Sequence, residues 1–305
     1  MKIQHTVQRM LMWPPLNAIL KLGIKPAVHI LPTPLVAKVP VVGQLTCSLP
    51  NGKFVKFEAD GLDKIAATMF WFGIDGIEGA TTRLFLQLLP QVKTFLDIGA
   101  NTGIYALMAA VCNDDCEIYA FEPVPSVYKR LQDNIKVNQL QNVHAIHAAV
   151  TNSDGNTPLY VETGLRLPLG ASIKKQDRHD MGAPIQVPAV MIDSLVRQYT
   201  INRVDLMKID TETTEPAVLE GALQTIDRDH PLIICEVQYG QTEQAIHDLL
   251  DDRGYQYYRI TEEGLVHMPQ IEGDKDGVNN NCIFVPQEML ADNGIIVTLL
   301  NQHAV

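Results

Sequence analysis

Two short stretches hold side chains of the type and spacing that can seat a nucleoside: Asp97-Ile98-Gly99-Ala100-Asn101-Thr102-Gly103 and Phe121-Glu122-Pro123. A glycine-containing turn directly after an apolar run brings bare backbone N–H groups to a ligand at the start of a helix. Glu122 falls 25 positions after Asp97, where a β-α-β unit places the carboxylate that holds ribose hydroxyls. Asp97, Gly99, Asn101, Gly103 and Glu122 are therefore the candidate ligand-binding residues.

The first turn discriminates between nucleosides. A dinucleotide site needs G-x-G-x-x-G, so that pyrophosphate can rest on bare backbone. Here the pattern is D-x-G-x-N-x-G, with Asn101 in place of the central glycine and Asp97 aimed at the space a pyrophosphate would need. A ligand that is cationic near the turn suits this better. S-adenosylmethionine, with an ammonium group and a sulfonium, fits, and a nicotinamide dehydrogenase is the disfavoured alternative.

The elements that must position these residues alternate. Residues 92–98 and 117–121 have strand character and flank a helix at 104–111. A helix at 126–138 and a strand at 143–146 follow. Residues 151–189 break the rhythm with four glycines and four prolines, which predicts an insertion of hairpin and loop placed to shape a substrate pocket. Beyond 185–190 the order is helix 192–199, strand 204–209, helix 216–225 opened by Pro216, strand 232–237, helix 242–253 and strands at 256–260 and 281–285. This is an α/β, doubly wound, Rossmann-like pattern with a mostly parallel sheet.

The chain has 305 residues and a net charge of −11, which argues against nucleic acid as a partner because phosphate binding needs a basic footprint. The charge is uneven. Residues 1–57 hold seven Lys and Arg and no Asp or Glu, and are expected to form a basic, apolar accessory segment ahead of a catalytic domain at 58–305. The segment suggests three contacts: an anionic membrane surface, its own acidic domain, or a second copy in a homodimer. Prolines and lysines interrupt its apolar stretches, so neither a signal peptide nor a spanning helix is expected, and the location is taken as cytoplasmic, at the inner face of the membrane if the segment binds lipid. The five cysteines show neither a C-x-x-C pair nor zinc spacing.

Asp97-Ile-Gly-Ala-Asn-Thr-Gly, Glu122-Pro123, Leu131 with Asn134 and Asn138, and Lys208-Ile209-Asp210-Thr211-Glu212 before Leu219-Glu220-Gly221-Ala222 resemble the motif series of the FkbM-type methyltransferases. The resemblance implies a class I enzyme with a seven-stranded sheet ending in an antiparallel hairpin. It also implies S-adenosylmethionine as cofactor and methylation of a hydroxyl on a sugar, glycan or natural product. Against the family pattern, Thr213 stands where glycine commonly follows the Glu of the fourth-strand motif. A glycine there would permit close backbone approach or positive φ, so the local turn is in question.

A sugar hydroxyl is a poor nucleophile while protonated, so a carboxylate or His is expected within hydrogen-bond reach. Asp210, at the carboxyl end of the fourth strand, is the first candidate as base or orienter, and Glu212 the second. The competing role for these acids is to pair with Lys208 or cap the following helix. Glu236, at the end of the next strand, could join Asp210 in holding a divalent cation, although spacing identifies no third ligand. Glu78 could touch ligand or favour a helix start. Phe70-Trp71-Phe72 could wall the pocket or pack in the core. His144 and His147 are expected to be structural, and His179 lies in the insertion. A membrane-associated enzyme acting on a lipid or glycolipid is the second functional class.

Overall fold

The computed structural model describes residues 10–162, 167–168, 170–174 and 181–291; His179 and the first nine residues lie outside the described residues. The strands are β1 (Val42–Ser48), β2 (Phe54–Asp60), β3 (Thr94–Ile98), β4 (Glu117–Phe121), β5 (Val143–Ile146), β6 (Ala149–Val150) and β7 (Gly155–Val161). They continue with β8 (Ala171–Ser172), β9 (Ile185–Val190), β10 (Leu206–Ile209), β11 (Leu232–Glu236), β12 (Tyr255–Thr261), β13 (Gly264–Met268) and β14 (Asn281–Pro286). The main sheet has the order β13-β12-β14-β11-β10-β3-β4-β5. Its five strands from β5 to β11 are parallel, and β14, β12 and β13 run antiparallel. The doubly wound architecture is therefore present, in a sheet of eight strands where seven were expected. The additional strand, β13, is a five-residue edge strand in which Leu265 and Val266 are separated from the buried Met268 by His267, too short a pattern to read as a strand from sequence.

Strand alternation sorts the two faces of the sheet. Phe95 and Leu206 pack into the core that also buries Phe85 and Leu107, while Leu96, Ile98, Met207 and Ile209 pack into the core on the opposite face. By the two-residue period of a strand, Asp97 and Lys208 lie on the first face. They are register partners across β3 and β10.

The predicted helix at 216–225 is two helices, Glu215–Glu220 and Leu223–Asp229. The junction holds a close approach that requires glycine: a Cβ at Gly221 would lie 2.2 Å from the Thr151 carbonyl oxygen. The second helix starts on the carboxylate of Asp193, which accepts the N–H groups of Gln224 and Thr225 and so satisfies donors that a helix start leaves open.

The insertion builds its own sheet, of order β6-β9-β7-β8, over a small core that includes Val127, Leu159 and Val187. At the other end of the chain, β1 and β2 form a hairpin. A division after residue 57 would cut β2, which runs on to Asp60. The outer edge of β2 is received by the helix Pro125–Asn138: the N–H groups of Lys56 and Glu58 donate to Asn138 Oδ1 and Asn134 Oδ1.

Candidate active site

The register of the parallel strands sets the site. Ile209, Ile98 and Phe121 are neighbours across β10, β3 and β4, so Asp210, Gly99 and Glu122 leave the carboxyl edge of the sheet side by side. Chain connections from β3 and β10 diverge to opposite sides here, the place where doubly wound sheets open a ligand crevice. A cavity of about 480 Å³ lies at this edge, with Asp97, Gly99, Asn101, Glu122, Asp210 and Glu212 in its lining. Gly103 and Glu236 do not line it.

Gly99 has φ +83°, and a Cβ there would sit 1.9 Å from the Asp210 carbonyl oxygen. Only glycine lets the loops after β3 and β10 come this close. Asn101 is left-handed, with φ +51°, a conformation asparagine tolerates because its short amide bonds locally; its Oδ1 accepts the Thr102 N–H at 2.8 Å. Gly103 is the N-cap of the helix Ile104–Cys112 and faces Leu131. Asn134 donates to the Thr102 carbonyl at 2.8 Å, so the side chain that receives β2 also anchors the ligand turn.

Glu122 is buried, and its two oxygens accept the N–H groups of Val124 at 2.7 Å and Asn101 at 3.1 Å. Each carboxylate oxygen has a second acceptor site, so hydroxyl donors can still be received from the cavity side. Burial pushes the Glu122 carboxyl up to about 7 against the pull of those two N–H donors. Asp97 is likewise buried and pushed up to about 7, with Lys208 and the Ala106 N–H opposing the shift. Its Oδ2 accepts the Ala106 N–H at 3.0 Å.

Facing Asp97 is an ion cluster built on Lys208, whose side chain is 4% exposed. Its ammonium donates to Asp210 Oδ2 at 2.9 Å, lies 3.9 Å from Glu78 Oε2 and sits 4.5 Å from the centroid of the Tyr105 ring. The Tyr105 hydroxyl donates to Glu78 Oε2 at 2.7 Å. Burial by itself lowers the Lys208 pKa, but Asp210 and Glu78, with Tyr105 and Asp97, outweigh it and hold the ammonium well above the usual lysine value. Glu78 adopts a left-handed backbone, φ +44° and ψ +53°, immediately before the helix Gly79–Leu88.

Glu212 and Thr213 are consecutive left-handed residues, with φ +56° and +76°. Thr213 thus occupies a conformation that glycine adopts freely and a β-branched residue adopts at a cost. The turn is tied from two sides: Ser172 Oγ of β8 donates to the Glu212 carbonyl at 2.8 Å, and Glu215 Oε1 accepts the Thr211 N–H at 2.9 Å. The insertion contributes Leu159, Pro168, Ala171 and Ile173 to the cavity wall.

Of the remaining sequence candidates, His144 bonds Glu117 and stacks on Tyr119, while His147 bonds the Pro123 carbonyl and stacks on Tyr128. Neither lines the cavity. Trp71 is buried in the core, with its indole N–H on the Val39 carbonyl. Glu236 accepts a hydrogen bond from Gln238, and burial followed by the Asp210 charge pushes it up to about 7. Among the described residues no group of three His, Cys, Asp or Glu side chains is arranged to hold a metal ion around Asp210 and Glu236. Tyr105 is not marked out as a site residue by the sequence, and Lys208 stands there as a motif residue and as a pairing partner for the acids. Its signal was present, because a lysine inside the buried run Leu206–Ile209 must meet counter-charge.

The residues present suit S-adenosylmethionine. A bare-backbone turn, a buried strand-end carboxylate for ribose and an acid-rich wall of Asp97, Glu78 and Asp210 meet in one cavity, of the size that small-molecule sites require.

The profile of the family described as Methyltransferase FkbM domain matches residues 97–257, from the ligand turn into β12. Methyltransferase sdnD of Sordaria araneosa is 25% identical, over 57% of this chain and 78% of that protein. The hexuronic acid methyltransferase AglP of Haloferax volcanii is 22% identical, over 56% of this chain and 66% of AglP. A solved structure, methyltransferase FkbM from Methylobacillus flagellatus KT, superposes with a TM-score of 0.44 at 12% identity, over 72% of this chain and about half, 53%, of that one. With the family profile covering more than half of its length, the chain belongs to the FkbM family of S-adenosylmethionine-dependent methyltransferases.

Proposed function

We propose that this chain is an O-methyltransferase acting on a hydroxyl of a sugar, glycan or natural product. The observation that carries the reading is the meeting, in one cavity, of the Gly99, Asn101 and Glu122 cradle with the carboxylate of Asp210. Bound S-adenosylmethionine supplies a methyl group activated by its sulfonium. The protein's part is positioning and proton handling. Glu122 receives the ribose hydroxyls, while Asp97 offers negative charge toward the cationic end of the cofactor.

Asp210 spends Oδ2 on Lys208, which fixes the carboxylate plane and leaves Oδ1 to receive the proton of an acceptor hydroxyl. Glu212, two residues further along the same loop and also in the cavity lining, orients a second hydroxyl of the acceptor in this reading. Polyhydroxylated acceptors suit a wall with this many carboxylate acceptors, and the name of AglP supports a uronic-acid sugar among them. The test is transfer from methyl-labelled cofactor to a panel of uronic acids, neutral sugars and alcohol natural products, with the product position mapped by NMR. Label on a hydroxyl oxygen supports the reading. Label found only on nitrogen, carbon or a carboxylate oxygen, or no transfer to any hydroxyl acceptor, would overturn it.

A further inference from the structure

The described lining of the cavity carries five carboxylates, on Glu78, Asp97, Glu122, Asp210 and Glu212, and two ammonium groups, on Lys64 and Lys208. Lys208 is committed within the protein, since it bonds Asp210 and lies beside Glu78. Lys64 is not. Its ammonium makes no ion pair and no hydrogen bond with the described residues, although five acids share its cavity.

Lys64 opens the helix Lys64–Phe72, whose N-cap Asp63 accepts the Ala66 N–H at 2.8 Å. Residues four apart are neighbours on one face of a helix, and four residues on stands Thr68, which also lines the cavity. A threonine inside a helix can satisfy its hydroxyl on the carbonyl of residue i−4. Thr68 does not. Among the described residues its hydroxyl has no partner, and its methyl lies against Gly76, where an added Cβ would meet it at 2.8 Å. A cation and a hydroxyl, one helical turn apart, thus border the ligand space with no partner among the described residues.

The two donors call for an acceptor of low negative charge. The five acids of the lining repel a dianion such as phosphate about twice as strongly as a monoanion at the same distance. A carboxylate is a monoanion with two acceptor oxygens, one for the ammonium and one for the hydroxyl. We infer that Lys64 and Thr68 form a carboxylate clamp on the cavity wall. The inference rests on the methyl transfer proposed above, which brings two sources of that group to the cavity. One is the amino-acid end of the cofactor, where ammonium and carboxylate share a carbon, and the other is an acidic acceptor such as a uronic acid. In either ligand the acids of the wall take the ammonium or the hydroxyls, and the clamp takes the carboxylate.

Calorimetric titration of the full chain with paired probes tests the clamp and tells the two sources apart. S-adenosylmethionine is compared with its decarboxylated analogue, and glucuronic acid with glucose in the presence of the demethylated cofactor. Lys64→Met is expected to weaken a carboxylate-bearing probe about ten-fold or more, the scale of a hydrogen bond to a charged group, and to leave its carboxylate-free counterpart unchanged. Thr68→Val should weaken the same probe by a smaller factor, and Lys64→Arg should retain its affinity. A loss confined to S-adenosylmethionine assigns the clamp to the cofactor, and a loss confined to glucuronic acid assigns it to the acceptor. Equal weakening of a probe and its carboxylate-free counterpart, or no weakening of either carboxylate, overturns the inference. Each arm reads binding without turnover, so failure of methyl transfer to hydroxyls and failure of the clamp are separate results.

Discussion

Lys208 and Asp97 stand opposite each other in the β3–β10 register, yet the ammonium gives its hydrogen bond to Asp210, just past the end of its own strand, at 2.9 Å. The lysine thus compensates a cross-strand carboxylate by field and the carboxylate two residues on in its own chain by contact. Removing one member of a buried ion cluster leaves the others uncompensated. Lys208→Met is expected to lower unfolding stability by about 3 kcal/mol, read from urea melts. A loss within about 1 kcal/mol would mean that the acids around it rearrange freely.

Asp210 lines the cavity with its Oδ2 engaged by Lys208. Asp210→Asn should preserve the fold and the cofactor affinity while lowering turnover by about 10²-fold. Calorimetry on the variant measures the first, and steady-state methyl transfer to a confirmed acceptor measures the second. Turnover within a few-fold of the parent would assign the carboxylate to pairing with Lys208 alone.

Glu122 joins the ligand turn to the second strand through its bonds to Asn101 and Val124. Glu122→Ala is expected to weaken S-adenosylmethionine and its demethylated product by about 1.5–3 kcal/mol through loss of charged hydrogen bonds. Equal affinities in a calorimetric titration would remove the ribose assignment.

The same side chain makes a pH prediction. Burial raises the Glu122 carboxyl from 4.5 to about 7, so between these values the folded chain binds a proton that the unfolded chain has released. Stability therefore falls as pH rises through that window, and the penalty is fully present above it. Glu122→Gln removes the ionisation, and it also loses one of the two accepted N–H bonds at every pH, because an amide nitrogen cannot accept. Its stability relative to the parent should therefore rise by on the order of 3 kcal/mol between about pH 4.5 and about pH 7, as followed by melts of the ligand-free proteins. A difference that does not change with pH would place the proton elsewhere.

Thr213 carries φ +76° next to the left-handed Glu212. Glycine relieves a strain of about 1–3 kcal/mol at such a position, less the chain entropy it adds. Thr213→Gly is expected to stabilise the protein by on the order of 1 kcal/mol, whereas Thr213→Val should not. A destabilising Thr213→Gly would show that the buried threonine side chain contributes more than its backbone costs.

The cofactor half of the site was legible because its requirements are local. Gly99 is needed where backbone must approach backbone, and Glu122 follows the last residue of a strand, so composition and spacing along one β-α-β unit expose both. The positive φ at Thr213 was foreshadowed in the same way, by the glycine that family members place there. Strand count was less legible, since β13 is a five-residue edge strand too short for a clear period, and the glycine requirement at Gly221 comes from Thr151, remote in the chain.

The sequence by itself determined which side chains could bind a cationic nucleoside, and the order of the elements that carry them. Tertiary structure alone decided that Glu78, Tyr105 and Asp97 surround Lys208, and that the helix Pro14–Ile24 buries Asn17 against the Pro40 carbonyl and the Val42 N–H. A buried ammonium meets whichever carboxylates the strand register and helix packing bring to it, and residues 78, 105 and 208 share no local pattern. Likewise, the periodicity of a short helix specifies two faces, and only the surface it packs against selects which of them is left to the solvent.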